Sequence, residues 1–142
     1  MYPRIRFNRT ANRAVPEGEG HMSKTVLVVE DDDLNMMVFR EALLAHGYTC
    51  VEAIDGVQAI RLAEEEHPDL ILMDMQLPGV SGMDVTRTLK AAEDLRHIPV
   101  IAVTAFAAYG DEERVRACGC EDYLSKPISI GHLIEAIERH IN

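Results

Sequence analysis

The chain alternates between short hydrophobic runs and longer segments in which hydrophobic residues recur at helical spacing. Three of the runs are almost continuous, and they are TVLVV at 25–29, LILM at 70–73 and VIAV at 100–103. Strands that are buried on both faces of a parallel sheet have this composition. YTCVEA at 48–53 and DYLS at 122–125 are weaker candidates. The pattern therefore predicts five strands.

Segments of helical length follow the predicted strands, and residues typical of helix ends delimit them. Gly47 follows the first, Pro68 the second and Gly119 the fourth, as is common where helices end. Asp33 is the expected N-cap of the first helix. The five predicted helices are 34–46, 56–67, 83 to about 94, 111–118 and 129–141. Alternating strands and helices imply right-handed βαβ crossovers, so the predicted fold is an α/β three-layer sandwich around a five-stranded parallel sheet.

The first 21 residues lack this pattern. They contain four arginines and several turn-forming residues, with no hydrophobic periodicity, and the composition changes abruptly after Met22. We therefore expect 1–21 to be a disordered extension or a remnant of cloning, and 22–142 to be the folded domain. The alternative for 1–21 is a basic arm that contacts nucleic acid.

Composition limits the functions that are open to this chain of 142 residues. A net charge of −10 argues against a nucleic-acid-binding surface, which needs clustered lysine and arginine. No hydrophobic run approaches the roughly 18 residues of a membrane span, and no secretory signal is evident. Cys50, Cys118 and Cys120 lack the spacing of a metal site, so we expect reduced thiols in a cytoplasmic protein.

The candidate functional residues directly follow the predicted strands. Glu30 and Asp31 follow the first strand, Asp74 the third, Thr104 the fourth and Lys126 the fifth. Because ligands bind at the carboxyl ends of the strands in open α/β sheets, parallel topology should bring these side chains to one edge. Each residue alone could be a helix cap, a solvated turn or a surface group. Their joint occurrence in charge-complementary types favours a site.

The chemistry of this set indicates phosphoryl transfer at a metal site. Three carboxylates share a site at low cost only when a cation neutralises them, and oxygen ligands with open positions suit Mg²⁺. Glu30 and Asp31 would hold the ion. Asp74 is a candidate nucleophile that forms an aspartyl phosphate. Mg²⁺ and Lys126 would offset the charge on the transferring group, and the Thr104 hydroxyl could bond one of its oxygens.

Four motifs, VLVVEDD, DLILMDMQLPGVSGMDV, IPVIAVTA and YLSKPI, resemble the receiver domain of bacterial two-component response regulators. The spacing of the candidate residues agrees, since Asp74 lies 43 residues beyond Asp31, Thr104 lies 30 beyond Asp74, and Lys126 lies 22 beyond Thr104. The resemblance extends from about Lys24 to the end of the last predicted helix. It implies the strand order 2-1-3-4-5 that is found in another member of this family.

This resemblance also implies roles for the candidate residues. Asp74 would accept a phosphoryl group from a phosphohistidine on a sensor histidine kinase or a histidine phosphotransfer protein. Asp31 and Asp74 would ligate Mg²⁺ together with the backbone carbonyl of Gln76. Glu30 stands where many relatives carry aspartate, so it would touch the ion directly or through water. Lys126 would match the invariant lysine of the family.

Thr104 and Tyr123 match the family's pair of switch residues. In that scheme Thr104 moves toward the phosphoryl oxygens, and Tyr123 swings inward to fill the space that is vacated. The surface formed by the last strand and the helices on either side of it then changes shape. The peptide bond before Pro127 is often cis in relatives.

A closer resemblance is to single-domain response regulators of cell division. The chain ends just after the fifth predicted helix, so we expect output through contact with downstream signalling proteins, without nucleic-acid or membrane partners. We expect a monomer or a weak dimer. We also expect no enzymatic activity beyond the protein's own Mg²⁺-dependent phosphorylation and dephosphorylation.

Two other functions remain open. One is a Mg²⁺-dependent phosphohydrolase with an aspartyl nucleophile, although the stretch Asp74-Met75-Gln76 lacks the second acid that would protonate the leaving group. The other is a receiver fold that serves as a docking scaffold without phosphorylation, although this chain keeps the acids, the threonine and the lysine that such scaffolds usually lose. A flavin-binding protein is disfavoured, because four acids after the first strand would repel a phosphate.

Overall fold

The structure is a computed structural model that describes residues 5–8, 12–16, 23–105 and 111–141. The strands of these residues form one mixed sheet, and they are β1 (Ile5–Asn8), β2 (Arg13–Pro16), β3 (Thr25–Val29), β4 (Thr49–Ala53), β5 (Leu70–Asp74), β6 (Val100–Thr104) and β7 (Asp122–Ser125). The helices of the described residues are α1 (Asp33–Ala45), α2 (Gly56–Glu66), α3 (Gly82–Ala91), α4 (Asp111–Ala117) and α5 (Ile130–Ile141).

Five of the strands form the predicted parallel sheet. The order across the whole sheet is β1-β2-β4-β3-β5-β6-β7, and each neighbouring pair among β3 to β7 is parallel. Numbered on their own, these five strands follow the order 2-1-3-4-5, so the predicted α/β class and its strand order are confirmed. The strand count was incomplete, because two antiparallel strands extend the sheet beyond β4.

These two added strands correct the prediction for the start of the chain. β2 pairs with β4, with Ala14 opposite Cys50. Ala14 is fully buried, and Arg13 forms an ion pair with Glu66 at 2.5 Å from Nη1 to Oε2. Disorder was one of the two expectations for 1–21, and the structure places β1 and β2 in the sheet instead. A four-residue strand forms because it pairs with the edge of a sheet. Its own sequence does not reveal that pairing. Apart from Asn12, the rest of 1–21 lies outside the described residues.

Helices cover both faces of the sheet, each over its own hydrophobic core. α2, α3 and α4 pack on one face and contribute Leu62, Leu89 and Val115 to the first core. α1 and α5 pack on the other face and contribute Phe39 and Leu133 to the second. Full burial of such a side chain stabilises the fold by about 1.5–3 kcal/mol. Because both faces are covered, the central strands are hydrophobic throughout, which explains the continuous runs in the sequence.

The start of α1 differs by one residue from the prediction. The side chain of Asp32, and not that of Asp33, accepts a hydrogen bond from the backbone N–H of Asn35 at 3.0 Å. Asp33 is instead the first helical residue. A carboxylate in the first turn still interacts favourably with the helix dipole, so Asp32 and Asp33 both stabilise the start of α1.

The three cysteines are buried and form no disulfide, in agreement with the prediction of reduced thiols. Burial raises the pKa of Cys120 to about 12, and the neighbouring Cys118 adds to this rise. Among the described residues, no helix combines the length and the hydrophobicity that a membrane crossing requires.

Candidate functional site

Three carboxylates lie together at the carboxyl end of the parallel strands. Glu30 and Asp31 follow β3, and Asp74 is the last residue of the neighbouring strand β5. One oxygen from each carboxylate lies within 4.8 Å of the other two. Glu30 and Asp74 are 1% and 2% exposed, whereas Asp31 is exposed. The cluster is therefore largely buried but reaches solvent through Asp31.

Lys126 brings a positive charge into this cluster. It follows β7, and its side chain extends past β6 so that Nζ lies 2.9 Å from Glu30 Oε1 and 3.3 Å from Asp74 Oδ2. Its backbone N–H donates to the carbonyl of Thr104 at 2.8 Å. Burial lowers the pKa of Lys126, but the contacts with the two carboxylates outweigh burial and raise its pKa above the ordinary value. Lys126 is therefore a permanent cation in the site. The peptide bond between Lys126 and Pro127 is cis.

Glu30 is held in an environment that disfavours its charge. Burial raises the pKa of Glu30 to about 7, and the adjacent carboxylate of Asp74 contributes to the rise, while Lys126 and the N–H of Asp32 oppose it. Near neutral pH a fraction of Glu30 is therefore protonated, unless a further cation stabilises the carboxylate.

We expect the metal-free protein to lose stability as the pH rises from 5 to 8. Glu30 has an ordinary pKa of 4.5 and a pKa of about 7 in the folded protein. Between these values the folded state holds the proton more tightly, and this stabilisation is lost as the pH passes the folded pKa. The loss is on the order of 2–3 kcal/mol. Urea unfolding in the presence of a chelator measures it.

Two variants separate this effect from other titrating groups. The Glu30→Gln variant has a neutral amide in place of the carboxyl group, so its stability should fall less between pH 5 and pH 8. The Glu64→Gln variant changes an exposed acid on α2 and should behave as the wild type does. Equal pH dependence in the wild type and in Glu30→Gln would contradict the assignment.

The carboxylate cluster fits a divalent cation. Oε1 of Glu30 is buried, and apart from its ion pair with Lys126 it has no hydrogen-bond partner among the described residues. A buried oxygen with unused lone pairs is unusual unless a water or an ion completes it. Carboxylate oxygens are also the ligands that Mg²⁺ prefers. The site can therefore hold a divalent cation directly beside Asp74.

Gln76 connects the end of β5 to the end of β6. Its backbone N–H donates to Asp74 Oδ1 at 3.0 Å. Its side chain donates from Nε2 to Thr104 Oγ1 at 2.6 Å and accepts at Oε1 from the N–H of Ala105 at 3.0 Å. The sequence predicted a role for the backbone carbonyl of Gln76 and missed these side-chain contacts, because a glutamine in a loop has no signature that reveals its partners.

Thr104 and Tyr123 lie on the same face of the sheet. Tyr123 is opposite Ala102 in the pairing of β7 with β6, and Thr104 is two residues beyond Ala102. Side chains two residues apart in a strand share a face. Tyr123 is half-buried and packs against the core that lies under α2, α3 and α4. The geometry is therefore compatible with the predicted switch pair.

Gly82 is a positioning residue that the sequence did not reveal. It begins α3, and a Cβ added there would lie 2.2 Å from the carbonyl oxygen of Asp74 and 2.8 Å from Cα of Met75. No larger side chain fits without a shift of the backbone that carries Asp74. The φ angle of Gly82 is not positive, so the reason for glycine is this close approach alone. The sequence shows only that a glycine stands next to the start of a predicted helix. Most residue types can occupy such a position, so the glycine did not indicate a close contact.

Comparison with known proteins agrees with the fold and shows the family. Residues 26–138 match the family model of the response regulator receiver domain. The polar-differentiation response regulator DivK of Brucella ovis is 58% identical over 120 residues, which cover 84% of this chain and 98% of that protein. The same-named protein of Brucella anthropi is 56% identical over the same length.

Solved structures of receiver domains are also similar to this chain. The receiver domain of a sensor histidine kinase from Pseudomonas aeruginosa is 39% identical with a TM-score of 0.78, over 84% of this chain and 98% of that one. Its crystal structure contains a magnesium ion coordinated in the active site cleft. The receiver domain of a histidine kinase from Syntrophus aciditrophicus is 31% identical with a TM-score of 0.78, over 84% of this chain and 90% of that one. The chain belongs to the family of response regulator receiver domains.

Proposed function

We propose that this receiver is phosphorylated on Asp74 in a bacterial phosphorelay and signals through contact with other proteins. The observation that carries the proposal is the convergence of buried Asp74 with Glu30, Asp31 and Lys126 at one end of the sheet. A carboxylate in this setting can attack phosphorus to form an acyl phosphate. The phosphoryl donor leaves with the electron pair of the broken bond, so the step needs no further reactant.

We assign the metal ligands to Glu30, Asp31, Asp74 and the backbone carbonyl of Gln76. Bound Mg²⁺ would neutralise charge that develops on the phosphoryl oxygens. Lys126 supplies a second positive charge, since its Nζ lies 3.3 Å from Asp74 Oδ2. Together these charges offset the repulsion between an anionic nucleophile and an anionic phosphoryl group.

We assign the response to phosphorylation to Thr104 and Tyr123. The hydroxyl of Thr104 would turn toward a phosphoryl oxygen, and the ring of Tyr123 would fill the space that this movement leaves. Tyr123 packs against the core that α4 covers, and the register of β6 and β7 puts Thr104 on the same face. Their movement would reshape the surface of β7, α4 and α5. Through this coupling, a local change of charge at Asp74 would alter the shape of that surface.

The proposed phosphoryl donor is a phosphohistidine on a sensor histidine kinase or a histidine phosphotransfer protein. By similarity to the Brucella proteins named for polar differentiation, we propose a role in cell-cycle and cell-division control in the cytoplasm. The outputs would be downstream signalling proteins. The net charge of −10 disfavours nucleic acid as a partner.

Exposed hydrophobic side chains around the carboxylate cluster support protein docking at this edge. They follow the carboxyl ends of β3, β4 and β5, and they are Leu34, Met37, Val38, Ile54, Val57 and Val80. Exposed apolar side chains grouped around a polar pocket are typical of interaction sites. We therefore place the docking of the phosphoryl donor protein on α1 and the two loops beside it.

The Val38→Glu variant tests this docking surface. Val38 is 41% exposed, so the change should leave the fold intact. We expect phosphoryl transfer from a cognate kinase to slow at least tenfold, which corresponds to about 1.4 kcal/mol. Labelling by acetyl phosphate should be unchanged. Ala45→Glu, an exposed position at the far end of α1, is the matched control. Unchanged transfer in Val38→Glu would rule out α1 as the docking site.

The proposed function is tested by incubation of the protein with Mg²⁺ and acetyl phosphate, followed by intact-mass analysis. We expect a gain of one phosphoryl group that is stable in acid, labile in base and absent when a chelator is present. A phosphohydrolase would instead turn over a generic ester such as p-nitrophenyl phosphate many times. We expect no such turnover, because Gln76 stands where a second acid would be needed. No mass gain would contradict the proposal.

A further inference from the structure

The side-chain amide of Gln76 has a defined orientation, because its hydrogen-bond partners distinguish the amide oxygen from the amide nitrogen. The backbone N–H of Ala105 can only donate, so the atom that faces it at 3.0 Å must be the amide oxygen. The NH₂ group then faces Thr104 Oγ1 at 2.6 Å. One amide therefore bonds two successive residues at the end of β6.

Each of these two residues also carries a donor group at the end of the sheet where Asp74 lies, the hydroxyl of Thr104 and the backbone N–H of Ala105. The N–H of Met75 donates to the carbonyl of Val103 at 2.9 Å, so the ends of β5 and β6 are held side by side. A phosphoryl group on Asp74 would bring three further oxygen atoms to this place. A backbone N–H carries one proton, so the N–H of Ala105 cannot serve both Gln76 and a phosphoryl oxygen at full strength.

We propose that Gln76 is a positioning residue that latches the end of β6 in its unphosphorylated arrangement. Its amide holds Thr104 and Ala105, and the latch must open before both can turn to a phosphoryl group on Asp74. This inference rests on the proposed function and adds a residue that opposes the switch. The latch makes the unphosphorylated arrangement more stable, and the response of the protein to phosphorylation is therefore smaller.

The structure offers space for the released side chain. A cavity of about 240 Å³ borders Gln76 and Thr104, and its walls include Met75, Met83 and Val115. The released side chain of Gln76 would turn into this cavity, so the latch would open by rotation of one side chain.

The test is the affinity of the protein for beryllofluoride, an analogue of the phosphoryl group, in the presence of Mg²⁺. The Gln76→Met variant keeps the length of the side chain and the backbone carbonyl but loses both hydrogen bonds. We expect it to bind beryllofluoride about tenfold more tightly than the wild type does, which corresponds to about 1.4 kcal/mol. Gln76→Ala should change the affinity in the same direction.

A matched control and a spectroscopic signal separate the latch from a general structural effect. Gln58 accepts a hydrogen bond from the N–H of Ile54 at 3.1 Å after β4, so Gln58→Met removes a similar bond elsewhere and should leave the affinity unchanged. The NMR signal of the Ala105 amide should shift in metal-free Gln76→Met, because its hydrogen bond is lost.

The outcomes are distinct. If the wild type fails to bind beryllofluoride with Mg²⁺, the proposed function itself is wrong and the latch falls with it. If the wild type binds and both Gln76 variants bind equally or more weakly, the latch is overturned while the proposed function stands. Tighter binding in both variants, with Gln58→Met unchanged, establishes the latch.

Discussion

The Asp74→Asn variant gains no phosphoryl group when it is incubated with Mg²⁺ and acetyl phosphate. Asparagine has nearly the same size as aspartate, so the fold around this 2% exposed side chain should persist. Its amide lacks the anionic oxygen that attacks phosphorus and removes one of the three carboxylates that can hold the cation. The expected effect is complete loss of labelling, and intact-mass analysis measures it directly.

Asp33→Asn is the matched control for this variant. Asp33 is also an acid close to the cluster in sequence, but it is exposed and begins α1. We expect labelling of this control to match that of the wild type. Labelling of Asp74→Asn at the wild-type level would show that another residue accepts the phosphoryl group.

Replacement of Lys126 by methionine should slow labelling by at least about 100-fold, the usual cost of removing one preorganised electrostatic contact from a transition state. The methionine side chain occupies a similar volume but leaves Glu30 and Asp74 without the ammonium that lies 2.9 Å and 3.3 Å from them. The initial rate of mass gain, measured at saturating Mg²⁺, reports the effect.

Lys24→Met controls for the loss of a lysine as such. Lys24 is exposed and lies just before β3, at the opposite end of the sheet from the cluster. Its replacement should leave the labelling rate unchanged. A rate in Lys126→Met that is within a few-fold of the wild type would mean that the ammonium does not act on the transferring group.

The parallel part of the fold could be predicted because burial leaves a strong imprint on a sequence. Strands covered on both faces are hydrophobic throughout, and β3, β5 and β6 show this in continuous runs. The carboxylate cluster followed from the same reasoning. Once the strands are parallel, Asp31, Asp74 and Lys126 must lie at one edge, although they are far apart along the chain.

The missed features depend on contacts that leave no such imprint. β1 and β2 are ordered by pairing with the edge of β4. Gly82 is required because α3 approaches the carbonyl of Asp74 closely, and the amide of Gln76 finds its partners across two loops. Each of these depends on distances between distant segments. A single sequence carries no periodicity or spacing that encodes them.

The central claim is that Asp74 itself carries the phosphoryl group. The most direct measurement is to label the protein with acetyl phosphate and Mg²⁺, reduce it with borohydride, and map the product by peptide mass spectrometry. Reduction of an aspartyl phosphate gives homoserine at the modified position. We predict homoserine at residue 74 and at no other aspartate. Homoserine at a different position, or an unmodified residue 74 in fully labelled protein, would contradict the account.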